Sequence, residues 1–81
     1  MNSEYVLLLH NDNKHSFDYV VEALIEVCEH TSDQAEQCAY ITHYKGKSEI
    51  KVGVKTDLSF MRKQLEDKEL IVSIEINKIA Y

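Results

Sequence analysis

The segment Tyr5–Leu9, YVLLL, is five apolar residues in unbroken succession. A run that short and that apolar reads as a buried strand. The next six residues, HNDNKH from His10 to His15, are polar and rich in turn formers, so a loop follows it. A buried strand needs covering elements, and the periodicity downstream supplies them. Phe17, Val20, Val21, Leu24, Val27 and Cys28 recur at helical spacing as one apolar stripe. Ser16 stands where it can cap that helix, which ends near Glu29 and His30.

Thr31-Ser32-Asp33-Gln34 has the form of a capping box opening a second helix. Ala35, Cys38, Ala39 and Thr42 share a face of it, and their small size permits close approach of a neighbour. Gly46 follows His43 and Tyr44 as a C-terminal stop. Ile50, Val52 and Val54 then alternate with Glu49, Lys51 and Lys55, predicting a strand with one face in and one out. Thr56 or Asp57 is the expected cap of a short third helix carrying Leu58, Met61 and Leu65. Leu70, Val72, Ile74 and Ile76 alternate in a last strand. The order βααβαβ does not alternate as a parallel α/β sheet would. The expectation is an α+β fold, a three-stranded and mostly antiparallel sheet with three helices on one face.

Proline and low-complexity segments are absent, and the 81 residues are read as one domain, 1–81. The first residues lack the basic start of a signal peptide and no stretch reaches membrane-spanning length, so no membrane association is expected. Cys28 and Cys38 suit free thiols in a reducing compartment, which makes the cytoplasm the expected location. A net charge of −5 without a Lys/Arg cluster argues against nucleic-acid binding. The four histidines and two cysteines match no zinc spacing. Cys38 and His43, five residues apart, diverge on a helix and make a poor catalytic dyad. No enzyme activity, metal or cofactor is expected.

Two blocks carry a resemblance. The first is LLLHNDN, with Phe17 and the apolar helix beyond it; the second is THYKGK, residues 42–47. ClpS adaptors are similar in both: a strand ending in Asn-Asp, a helix, then a second helix ending in His-Tyr-x-Gly-Lys. The likeness runs from about Tyr5 to Glu75. It implies an adaptor that binds N-degron proteins and presents them to the N-domain of a Clp AAA+ unfoldase, acting as a monomer. By position it implies that Asn11, Asp12 and His43 hold the α-amino group of the degron. It places the pocket for the first side chain at Phe17, Val20, Ala39, Thr42 and Leu70. The chemistry is coherent: a free α-amine, with a pKa of about 8, is a cation with three donors at neutral pH. An amide oxygen, a carboxylate and a neutral imidazole nitrogen are three matching acceptors.

The chain departs from the family pattern in places. Phe17 and Ala39 stand where the family commonly has Met, and Asn13 and His15 where it often has Asp and Thr. Only Met1 to Glu4 precede the first strand, where the family usually carries a longer extension. The strand after Gly46 holds about two extra residues, read as a bulge. The third helix is expected to be about two turns shorter than the family's, with Leu58 and Lys63 near its docking positions. The alternative reading is a ClpS-like interaction module that docks on a Clp unfoldase or another partner without binding a degron.

Overall fold

A computed structural model describes residues 4–77. Met1 to Ser3, most of the lead before the first strand, lie outside the described residues, as do residues 78–81. The elements run β1 (Tyr5–His10), α1 (Phe17–Cys28), α2 (Ser32–Lys45), β2 (Lys47–Gly53), α3 (Lys55–Asp67) and β3 (Ile71–Ile76). The sheet order is β2-β1-β3, with β1 antiparallel to both neighbours. The apolar run that opens the chain is thus the central strand. Leu7 and Leu9 meet Ala23, Leu24, Cys28, Ala35, Leu58 and Leu65 from the three helices in one core.

Local chemistry sets the helix boundaries. Ser16 accepts a hydrogen bond from the Tyr19 amide at 3.1 Å and caps α1. Thr31 and Gln34 form both halves of the capping box on α2. Gly46 ends α2 at φ 92°, a left-handed conformation that costs glycine little and a residue with a Cβ about 1–2 kcal/mol. At α3 the expectation fails. The helix begins at Lys55 after Val54, which supplies no side-chain cap, and Thr56 and Asp57 lie inside the first turn. With its 13 residues α3 is about as long as α1, not a short element.

Strand β2 also differs from its simple alternation. Lys51 pairs with Leu7 and Glu49 with Leu8, which leaves Ile50 without a partner on β1. This one-residue bulge resets the pleat. Ile50 stays in the core, whereas Val52, expected inside, is half exposed, and so is Val54 beyond the strand's end. Side chains secure the irregularity. His30 donates from Nε2 to the Ile50 carbonyl at 2.7 Å, and Lys51 donates to the Cys28 carbonyl at the end of α1. Cys28 itself is fully buried, and that burial pushes its thiol up to about 11.

Candidate binding hollow

The loop between β1 and α1 is organised by one carboxylate. Asp12 Oδ1 accepts from the backbone amides of Lys14 (2.8 Å) and His15 (2.9 Å). The His15 Nδ1 lies 3.2 Å from both carboxylate oxygens. Only 13% of the Asp12 side chain is exposed. Burial acts against its charge, but the hydrogen bonds to the carboxylate outweigh it and hold Asp12 below its ordinary pKa. The turn satisfies Oδ1, while Oδ2 has only the His15 ring beside it, so lone pairs remain for a donor from outside.

The same loop is tied to the rest of the molecule on two sides. The Asn11 amide donates to the Gly46 carbonyl at 2.9 Å, which joins the loop to the end of α2. Lys14 pairs with Glu69 at 2.7 Å, and the Tyr19 hydroxyl donates to the Lys68 carbonyl at 2.9 Å. Both contacts reach the α3–β3 turn that presents Leu70. The His15 ring stacks on Tyr19 with centroids 4.7 Å apart, which steadies the imidazole against Asp12.

Between the loop, α1, α2 and Leu70 lies a hollow of about 360 Å³. Asn11, Asp12 and His43 line it, together with Phe17, Val20, Ala39, Thr42 and Leu70. The structure therefore brings all eight sequence-selected residues around one cavity, although they come from four separate stretches of chain. Their environments differ. Ala39, Thr42 and Leu70 are buried, whereas His43 and Phe17 are exposed at the mouth. Phe17, counted in the α1 core stripe by its spacing, also lies outside the main core. The Thr42 hydroxyl donates to the Cys38 carbonyl at 2.7 Å and is occupied within its own helix.

Sequence reasoning gave no role to several nearby residues. His15 also lines the hollow and touches Asp12. Tyr40 and Tyr44 stand beside its mouth, against Phe17 and His43 respectively. Their spacing of four residues on α2 was the available signal, since it puts two aromatic rings on one helix face. Among the described residues no three His, Cys, Asp or Glu side chains converge as metal ligands. No described helix is long and apolar enough to cross a membrane.

A small α+β module with a mixed polar and apolar hollow at one end of its sheet is a binding domain by its architecture. Residues 1–72 match the family model of the ATP-dependent Clp protease adaptor protein ClpS, so the chain belongs to the ClpS family. The family is that of a protease adaptor without catalysis of its own. The fold agrees with that of ClpS2 from Agrobacterium tumefaciens, solved bound to L-phenylalaninamide. The TM-score is 0.89 at 20% identity, covering 95% of this chain and 100% of that one. The chain is also 31% identical over 65 residues to the E3 ubiquitin-protein ligase ubr-1 of Caenorhabditis elegans. That match covers 80% of this chain but only 3% of the ligase.

Proposed function

We propose that the chain binds the free N-terminus of a protein and presents it to a Clp unfoldase. The α-amino group sits against Asn11, Asp12 and His43, and a large apolar first side chain enters between Phe17, Val20, Ala39, Thr42 and Leu70. The observation that carries this reading is the convergence of those eight residues on one hollow of about 360 Å³. That size is near the lower end of ligand sites, about 300–1,000 Å³, and suits one side chain better than a folded segment. The bound L-phenylalaninamide of the Agrobacterium protein adds chemical support, because that molecule carries a free α-amine and an aromatic side chain.

Asp12 supplies the charge and Oδ2 its free acceptor. Asn11 and His43 supply the other two acceptors. Charge-assisted hydrogen bonds contribute about 1.5–3 kcal/mol, and burial of a large apolar side chain a further 1.5–3 kcal/mol. After the cost of association, a Kd on the order of micromolar follows, which suits cargo that must be released.

The docking surface needs one revision. Leu58, placed near a docking position by the family pattern, is buried in the core and cannot meet a partner; Lys63 is exposed. The test of the amine site is direct. Fluorescent peptides beginning with Phe, Leu, Tyr or Trp bind, and their N-acetylated forms do not. Equal binding of both forms would leave only an interaction module that recognises no N-terminus.

A further inference from the structure

The hollow continues past its mouth into a second, shallower one of about 260 Å³, lined by Phe17, Tyr40, His43 and Tyr44. Phe17 and His43 belong to both, so the two adjoin. The second is walled by rings that contact one another. Tyr40 and Tyr44 stack with centroids 5.0 Å apart and planes 22° from parallel. Phe17 meets Tyr40 edge-on at 5.9 Å, and His43 meets Tyr44 edge-on at 5.2 Å. The neighbouring Tyr40 raises the Tyr44 phenol above its ordinary value. Tyr40 is 55% exposed and Tyr44 70%, more aromatic surface than a helix needs to pack on its own fold.

We propose that this ring wall is a second subsite, which takes the second side chain of a bound N-terminus and favours a large apolar one. The inference rests on the amine site described above. Once an α-amino group is held at His43, the next Cα follows only 3.8 Å along the chain. In an extended chain successive side chains point to opposite sides. With the first directed into the deep hollow, the second emerges toward its rim, where the rings begin. None of the four lining residues carries a permanent charge, and Asp12 lines the adjoining hollow. An acidic second residue therefore finds no partner there and faces a carboxylate, whereas a Trp or Leu finds aromatic surface.

Peptides that begin with Phe and differ only at the second residue (Trp, Leu, Gly or Asp) test this by fluorescence anisotropy. Trp is expected to bind between about two- and tenfold more tightly than Gly, with Asp weakest. The Tyr40→Ala, Tyr44→Ala double variant is expected to flatten the Trp-over-Gly ranking and still reject acetylated peptides. Tyr40→Phe keeps the ranking. A measurement on the unaltered protein guards against an unstable variant: the Tyr40 and Tyr44 ring signals in NMR shift with a second-position Trp and stay still with Gly. Acetylated and free peptides binding alike overturns the amine site and this subsite with it. Intact rejection of acetylated peptides with a flat second-residue ranking, or with silent Tyr40 and Tyr44 signals, overturns the subsite alone.

Discussion

The two rims of the hollow are built in opposite ways. The loop rim, Asn11 to His15, is knitted into its surroundings: two amides and a ring onto the Asp12 carboxylate, Asn11 onto Gly46, Lys14 onto Glu69. The α2 rim, Tyr40 to Tyr44, presents exposed rings whose aromatic contacts are with other rings at the mouth. One side holds a charge in a fixed place; the other offers adaptable apolar surface. The contrast suits a ligand whose amine is always the same and whose side chains vary. Preorganising the invariant contact lowers the ordering cost of binding, while the variable contact keeps freedom to adjust.

Substitutions on the two rims should therefore behave differently. The largest effect is expected at Asp12. Asp12→Asn keeps an oxygen for the loop amides but removes the charge, and peptide affinity should fall by about 10- to 150-fold by anisotropy. Asp12→Ala should add a loss of folding stability of about 1–3 kcal/mol in urea, because the loop amides lose their acceptor. An Asp12→Ala protein as stable as the parent would erase the difference between the rims. Next comes the joint between them. Gly46→Ala should cost about 1–2 kcal/mol, since φ 92° disfavours a Cβ even where nothing crowds it. A smaller effect is expected at His43, where alanine should weaken binding by about 0.5–1.5 kcal/mol and leave the urea midpoint nearly unchanged. Lys14→Ala, which removes an exposed ion pair with Glu69, should be barely detectable in stability.

Acid sharpens the same contrast. The folded state holds the Asp12 pKa below the ordinary 3.8, so its ionised form favours folding. That stabilisation is complete above the unfolded value and disappears as pH falls through the folded one. The stability gap between the parent and Asp12→Asn should close below about pH 4, measured by urea denaturation across pH. A gap that persists in stronger acid would mean that hydrogen-bond geometry, not charge, is what Asp12 contributes. On the alkaline side, peptide binding should weaken above about pH 8 as the ligand amine loses its proton.

Much of this was legible in the sequence, and the exceptions have physical reasons. Local signals read well where a side chain does the work: Ser16, Thr31 with Gln34, and Gly46 fall where capping chemistry puts them. The start of α3 did not, because Val54 begins a helix without a side-chain cap and leaves no mark in composition. Val52 was misplaced because alternation presumes an unbroken ladder; the family pattern pointed to a bulge of about two residues in this strand, but its size of one residue and its place at Ile50 are set only by the pairing with β1. The eight pocket residues were reachable through the family motif. The Asp12 turn and the His15 contact could not be read from residue type, since they depend on how the loop closes. Tyr40 and Tyr44 had a detectable spacing, but only the position of Phe17 on α1 gives that spacing a consequence.

The buried Cys28 also makes the protein a reporter of its own opening. With its thiol moved up to about 11 and no surface exposed, the folded molecule presents almost no thiolate to an alkylating reagent. The residue lies where α1, β2 and the bulge meet, so a reagent reaches it only when that junction comes apart. Its labelling rate at neutral pH then measures the frequency of that opening. Peptide binding at the far end of the sheet should slow the labelling to the extent that the ligand holds the whole domain closed.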